Sequence, residues 1–577
     1  MSILIDKNVD IPMADGIRLR ADVYRPHDAA RHPVLLQRTP YNKELWPITA
    51  LTLDPVRAAA AGFVVVIQDV RARWASQGDV FFPYRDEAAD GADSVAWCAS
   101  QPWSSGRVGC YGLSYMGGTS WLAALSGHPA LGAISPTTAP NDFWRNHFWR
   151  GGALNIGTLA MWALRAIGPA ALIRAHPDPA DFAPALVELF DAVDGFGDIL
   201  ATLPLNEFAP ARPRDEAFVP FFYEFLRHPA PDAWTDGLLF SDRHAAVQVP
   251  SLSIAGWHDL LLGADLEHFA GMRANAGTAV ARRHSRLVIG PWAHGMFQNV
   301  VGEVDFGFRA NGMFLDLKED LTRLQLRWFE RWLTGEDGAS GGDAEAPVRY
   351  FVQGRNRWRD AADWPPREAV VTPWYLGADG TLVPAPPTVP EAADSYVYDP
   401  ARPCPTLGGN LLLPPQYPAG PVDQICLLGR RDVLCYTSPV LESDLEIAGP
   451  VSMELHAATS GADTDWMVKL CDVDVDGRIV NICDGVVRGS LRDGRERRLL
   501  EPGAEYSYSI DLWSTAMLFR AGHRLTVLIT SSDFPRYDRN PNNGELAHEA
   551  RRFVPALQRV FRDSTRPSRI LLPVMPC

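Results

Sequence analysis

The segment Arg107-Val108-Gly109-Cys110-Tyr111-Gly112-Leu113-Ser114-Tyr115-Met116-Gly117-Gly118 constrains this chain more than any other stretch. An apolar run leads to a glycine, a serine stands at the apex, and helical spacing begins behind it. A buried strand must therefore turn sharply into a helix. Little bulk at Gly112, Gly117 and Gly118 lets strand and helix approach closely, while the serine takes a strained backbone conformation. Its hydroxyl then stands at a helix N-terminus, where backbone N–H groups favour negative charge. This is how a nucleophile elbow is built. The usual short form is G-x-S-x-G; here Met116 takes the last position and Gly117 follows it. A glycine-rich turn with an incidental serine is the bland alternative, so other residues must decide.

Around this segment strand and helix patterns alternate. Val9 to Pro26 reads as a hairpin about Ala14-Asp15-Gly16, Val34–Gln37 and Val64–Asp69 as strands, and Pro55–Ala61 and Asp86–Ala99 as helices. A helix over Tyr115–Leu125 and a strand near Gly132–Ile134 follow. Such alternation implies a parallel sheet with helices on both faces. Residues Ala153 to Ala245 are rich in Ala, Leu and Pro at helical spacing, which suggests an inserted helical cap. Strands resume at Pro250–Gly256 and Leu287–Gly290, and an amphipathic helix is expected over Leu315–Leu333. Thr334 to Asp343 reads as a linker. Beyond Pro347, short alternating segments such as Val348–Val352 and Arg524–Ile529 indicate an all-β domain of sandwich or jelly-roll kind. The expected division is a catalytic α/β domain over 1–145 and 246–345, a helical cap over 146–245 and a β domain over 346–577.

A chain of 577 residues needs two or three cores. Its net charge of -15 disfavours nucleic acid and anionic membrane as partners. No apolar run is expected to span a bilayer, and the N-terminus lacks the pattern of a signal peptide. The eight cysteines form no C-x-x-C pair, which signals neither zinc nor a redox motif and fits a reducing, cytoplasmic setting.

A nucleophilic serine needs a base, and the base needs an acid to orient it. In sheets of this kind the partners follow in the order Ser, acid, His, each on a loop after a strand. Asp259, in Gly256-Trp257-His258-Asp259, and His294, in Gly290-Pro291-Trp292-Ala293-His294, fit that order. Asp259 could alternatively cap a helix, and His258, Asp265 and His268 could suggest a metal cluster, although their spacing matches no zinc pattern. The oxyanion donors expected are the backbone N–H of Tyr115 and, from the loop after an early strand, the phenol of Tyr41. Tyr41 as a plain packing residue remains open at this point. Asp472-Val473-Asp474-Val475-Asp476-Gly477 opens like a calcium loop but has Cys483 where the closing Glu belongs, so a tight hairpin explains it better.

These residues carry a family resemblance. Arg38-Thr39-Pro40-Tyr41, Gln68-Asp69-Val70-Arg71, Gln101-Pro102-Trp103, the Ser114 elbow, the segments around Asp259 and His294, Asp432-Val433-Leu434-Cys435-Tyr436 and Tyr537-Asp538-Arg539-Asn540 together resemble the cocaine esterase-like hydrolases. Those are relatives of X-Pro dipeptidyl-peptidases and α-amino acid ester hydrolases. The resemblance implies an α/β-hydrolase domain with an inserted helical cap and a C-terminal jelly roll. It implies Ser114 as nucleophile, His294 as base, Asp259 as orienting acid and Tyr41 as an oxyanion donor. The chain departs from the pattern in places. Ala72 ends what is usually Asp-x-Arg-Gly, His258 replaces a tyrosine, and Leu260 and Leu261 replace Gly and Phe.

The expected activity is hydrolysis of small carboxylic esters through an acyl-enzyme, with no metal and no organic cofactor. Pocket walls are expected from Phe148, Trp149 and Trp162 in the cap, from Leu260 and Leu261, and from Leu407 in the β domain. The partner expected is a small-molecule ester, and a homo-oligomer is compatible with the sequence. Two alternatives stay open: an amide-cleaving relative, and a glycan-binding protein with a vestigial triad.

Overall fold

The computed structural model describes residues 2–207, 219–230, 232, 234–238, 240–335, 345–494 and 496–576. A hairpin of β1 (Ile3–Pro12) and β2 (Arg18–Pro26) opens the main sheet, turning at Ala14-Asp15-Gly16 as its residues require. It leads antiparallel onto a run of parallel strands. These are β3 (His32–Thr39), β4 (Val64–Asp69), β5 (Ser104–Leu113), β6 (Leu131–Thr137), β7 (Leu252–His258) and β8 (Arg286–Ala293). The spatial order is β1-β2-β4-β3-β5-β6-β7-β8. Every residue of β4 is buried, as expected of a β-branched strand covered on both faces. Helices Glu87–Ser100, Tyr115–Leu125, Leu262–Asn275 and Leu321–Leu333 accompany the sheet.

Two expectations about this region change. The last helix starts at Leu321 and not at Leu315. Asp316 and Leu317 have φ of 50° and 60°, which interrupts helical geometry, and Asp320 then caps the helix by accepting from the Arg323 N–H at 2.7 Å. The strand Val348–Val352, expected in the β domain, instead pairs parallel with β8 as β9. The strand β10 (Arg357–Ala361) adds antiparallel beyond it, giving a ten-stranded sheet. A boundary at 345/346 would cut both from the sheet they complete. Short alternation alone does not say which sheet a strand joins. The expected linker over Thr334–Asp343 lies mostly outside the described residues.

Between β6 and β7 stand helices that lie, among the described residues, between Ile156 and Leu200 and over Pro220–Arg227. Ile156–Met161, Trp162–Ile167 and Gly168–Ala175 run on as one helix whose middle third is wound as a π-helix. This twenty-residue helix is long and apolar enough to cross a bilayer by length and composition, contrary to expectation, yet 67% of its apolar window is buried inside the protein. Its aromatic face packs with helix Pro220–Arg227, where Trp162 and Phe221 lie 5.1 Å apart between ring centres.

The C-terminal part holds two mostly antiparallel sheets. One is built on the long strand Leu445–Thr459, which pairs with Glu505–Phe519, Ala556–Asp563 and Arg569–Val574. The other contains Leu434–Thr437, Arg524–Thr530, Asp465–Val473 and Ile479–Arg488. Trp466, Leu470, Ile510, Val527 and Ile570 fill the space between. The Asp472–Gly477 segment is the expected hairpin: Asp474 accepts from the Asp476 and Arg478 N–H groups, and Asp472 engages His523. The seven described cysteines are unpaired.

Candidate active site

β5 ends at Leu113, and Ser114 follows with φ 61° and ψ -123°, a conformation non-glycine residues rarely adopt. The space behind it explains the glycines. A Cβ on Gly112, whose φ is +155°, would lie 2.4 Å from the Met116 Cβ, and one on Gly117 would lie 2.8 Å from the Ala139 Cβ. Gly117 thus does the spacing work that the short motif gives to the preceding position. Met116 is tolerated there because its side chain is fully buried in the core beneath the sheet.

The other two side chains arrive from the C-terminal ends of neighbouring strands, where ligands bind in open parallel sheets. Asp259 follows β7 and His294 follows β8. His294 Nε2 lies 2.9 Å from Ser114 Oγ, and His294 Nδ1 lies 2.9 Å and 3.1 Å from the two Asp259 carboxylate oxygens. Three residues up to 180 positions apart therefore form one contiguous chain of hydrogen bonds. Asp259 is completely buried, and the Leu261 N–H donates to its Oδ1 at 2.8 Å. It does not cap the next helix, which begins at Leu262 behind an N-cap at Leu261.

Tyr41 stands beside the serine. Its Oη accepts from Trp162 Nε1 at 2.9 Å, and the Ser114 hydroxyl is its second polar neighbour. Burial pushes the phenol above its ordinary pKa, while Trp162, Ser114 and the charge on Arg73 pull the other way. The Tyr41 loop is held at both shoulders. Pro40 O accepts from Arg73 Nε and Trp74 Nε1, each at 2.9 Å. The buried Lys43 donates to Asp69 through both its backbone N–H (2.7 Å) and its ammonium (3.3 Å).

Tyr115 opens the helix after the serine, so its N–H has no acceptor one turn back. Its phenol donates to Glu87 Oε1 at 2.7 Å, and Glu87 pairs with Arg38 at 2.8 Å, both nearly fully buried. Its ring stacks on Tyr84 with centres 4.1 Å apart. The backbone donor is fixed by what its side chain grips.

The remaining expected residues divide. Phe148 and Trp162 share one buried aromatic cluster, with ring centres 5.9 Å apart. Leu260 and Leu261 are buried directly after the acid. Trp149 lines a small cleft with Arg488, Asp538 and His548 at the junction with the β domain. Trp149 opens a two-residue strand after the bend at Phe148, and both side chains belong to one buried apolar cluster. Leu407 packs inside the β domain on Cys404, Leu427 and Cys471. Gly408 and Gly409, at φ 60° and 99°, reverse the chain, and it is Leu411 and Leu413 that reach the aromatic cluster. The suggested metal cluster is dispersed: His258 bonds Gln353, His268 bonds His244, and Asp265 accepts from the Ala139 N–H.

Two residues went unread in the sequence. Asn410, from the β domain, donates to the carbonyls of Trp257 (2.9 Å) and Asp259 (2.8 Å), fastening the acid's loop. His147 stacks on Phe148 with ring centres 4.0 Å apart, and burial together with the nearby His294 pushes its pKa down to about 3. The glycine pair before Asn410 was the available signal for the first. Nothing in sequence marked the second.

Known proteins bear directly on this arrangement. Residues 15–296 match the model for the X-Pro dipeptidyl-peptidase (S15 family), and residues 340–571 match the X-Pro dipeptidyl-peptidase C-terminal non-catalytic domain. The cocaine esterase of Rhodococcus sp. (strain MB1 Bresler) is 35% identical over 99% of this chain and 98% of its own length. Among solved structures, an α-amino acid ester hydrolase superposes with a TM-score of 0.80 at 25% identity, covering 99% of this chain and 96% of that one. A CocE/NonD family hydrolase from Staphylococcus aureus shares the fold, with a TM-score of 0.70 at 18% identity over 100% and 94% of the two chains. The chain belongs to the cocaine esterase-like (CocE/NonD) serine hydrolases, kin of the S15 family of X-Pro dipeptidyl-peptidases.

Proposed function

We propose that this protein cleaves small carboxylic esters through an acyl-enzyme, with Ser114 as nucleophile, His294 as general base and Asp259 as the acid that orients it. The observation that carries the reading is the hydrogen-bonded line from Ser114 Oγ through both His294 nitrogens to a fully buried carboxylate. As Ser114 attacks the carbonyl carbon, its proton passes to His294 Nε2, and Asp259 stabilises the resulting imidazolium. The carbonyl oxygen gains negative charge and meets two donors, the Tyr41 hydroxyl and the Tyr115 N–H. His294 then gives the proton to the leaving alcohol. In the second half it deprotonates water, which attacks the acyl group and frees Ser114.

On this reading the helices between Ile156 and Leu200 and over Pro220–Arg227 act as a cap, and Phe148 and Trp162 form the apolar side of the substrate crevice. Leu260 and Leu261 close it next to the acid, and the two antiparallel sheets make a jelly roll whose Asn410 loop braces that acid. The net charge of -15 supports a protein that acts on small molecules away from nucleic acid and anionic membranes, and unpaired thiols support a cytoplasmic setting. The test is hydrolysis of matched p-nitrophenyl esters and p-nitroanilides by the native enzyme and Ser114→Ala. Ester turnover lost in the variant, with anilides cleaved far more slowly by the native enzyme, is expected. Anilides cleaved as fast as esters would make it an amidase, and no turnover of either would end the catalytic reading.

A further inference from the structure

Arg73 is 1% exposed and, among the described residues, makes no salt bridge; the charge of buried Asp69 reaches it, and the Trp74 and Phe81 ring centres lie 5.8 Å and 5.3 Å from its guanidinium carbon. Burying an unpaired cation is expensive, and proteins keep such groups where they act. Burial draws this guanidinium down to about 10, so it remains charged at neutral pH. The backbone around it is also strained. Ala72 and Trp74, on either side, have φ of 58° and 47°. Ala72 stands where the family pattern carries glycine, so the left-handed turn persists without the residue that makes it easy.

What the cation holds is specific. Its Nε donates to Pro40 O at 2.9 Å and one Nη to Ile167 O at 3.1 Å, while the other Nη has no partner. Pro40 immediately precedes Tyr41. Ile167 ends the π-helical turn that begins at Trp162. Trp162 in turn donates to the Tyr41 oxygen. Arg73, the Tyr41 loop and the Trp162 turn therefore close a ring of three hydrogen-bonded contacts around one phenol, and the charge inside the ring favours electron density on the Tyr41 oxygen.

We propose that Arg73 is a positioning residue for the oxyanion hole: its guanidinium clamps the Tyr41 loop to the Trp162 helix, and its positive charge makes the Tyr41 hydroxyl a stronger donor to the developing oxyanion. The proposal rests on Tyr41 being that donor. π-helical turns occur often at functional sites, and here the turn places the indole and the carbonyl that the clamp uses. The positive charge acts on the Tyr41 phenol, and a preorganised field of that sign favours negative charge beside it without reorganisation.

The test is a double-mutant cycle on acylation, read from single-turnover release of p-nitrophenol from p-nitrophenyl butyrate. Arg73→Met is expected to slow acylation about tenfold with KM moved less than about twofold, and Arg73→Lys, which keeps the charge, to recover part of the loss. In a Tyr41→Phe background, Arg73→Met is expected to cost less than about twofold, because the group it acts through is gone. An equal cost in both backgrounds, or a change in KM alone, would overturn the clamp while leaving Tyr41's role standing. No effect of Tyr41→Phe alone would overturn both. If Arg73→Met does not fold, Arg73→Lys and Arg73→Gln are compared in the same two backgrounds with the same criterion.

Discussion

Trp162 Nε1 donates to Tyr41 Oη at 2.9 Å, so the indole occupies an acceptor site of the phenol and leaves its proton free to point elsewhere. Trp162→Phe keeps an aromatic ring and removes the donor. A hydrogen bond to a partner that must stabilise charge is worth about 1–2 kcal/mol, so kcat on p-nitrophenyl esters is expected to fall about tenfold with little change in KM.

On the proposed mechanism Tyr41→Phe deletes one of two donors to the oxyanion. The loss expected is about 3 kcal/mol in the barrier, or roughly a hundredfold in kcat. Steady-state kinetics on the purified variant checks it. A rise in KM with kcat unchanged would show that Tyr41 only binds substrate.

Asn410 ties the β domain to the acid's loop through two backbone carbonyls. Asn410→Ala removes a donor from both; the Asp259 carbonyl keeps the Leu262 N–H at 3.2 Å, so the loss expected is about 1–3 kcal/mol in all. Thermal unfolding should show a lower Tm, and kcat should fall as Asp259 loosens. Reduced stability with unchanged kcat would make Asn410 a purely structural brace.

His258 is fully buried, and burial outweighs the help of Gln353 and Asp484 to hold its pKa down at about 4. Unfolded, it titrates near 6.5. Between those values the unfolded chain binds a proton that the folded chain refuses, so acid favours unfolding. The stability tied to this group is present above pH 6.5 and is lost as pH falls toward 4, by about 2 kcal/mol between pH 7 and pH 5. His258→Gln should show a smaller difference in unfolding free energy between those two pH values, whatever its stability at pH 7. An unchanged difference would contradict the assignment.

The parallel sheet and the convergence of Ser114, His294 and Asp259 were legible in sequence because each has a local cause. Buried parallel strands write β-branched runs such as Val64–Ile67, and the elbow needs glycines at spacings that a side chain would violate. Asp259 and His294 were readable because each follows such a strand. What escaped depends on contacts between segments far apart. Val348–Val352 looks like any short strand, and only its neighbour β8 assigns it to the catalytic sheet. Leu407 and Leu413 are equally apolar, and the turn at Gly408-Gly409 decides which faces the aromatic cluster. Arg73 and Asn410 act through carbonyls of other segments, which no spacing within their own reveals.

The most direct test of the account is to mix the enzyme with p-nitrophenyl butyrate, quench in acid within the first turnover and locate the acyl group by peptide mass spectrometry. A butyryl adduct on Ser114, formed in step with nitrophenol release and absent from Ser114→Ala and His294→Ala, is the result predicted. Nitrophenol release without any adduct, or an adduct on another residue that survives Ser114→Ala, would contradict it.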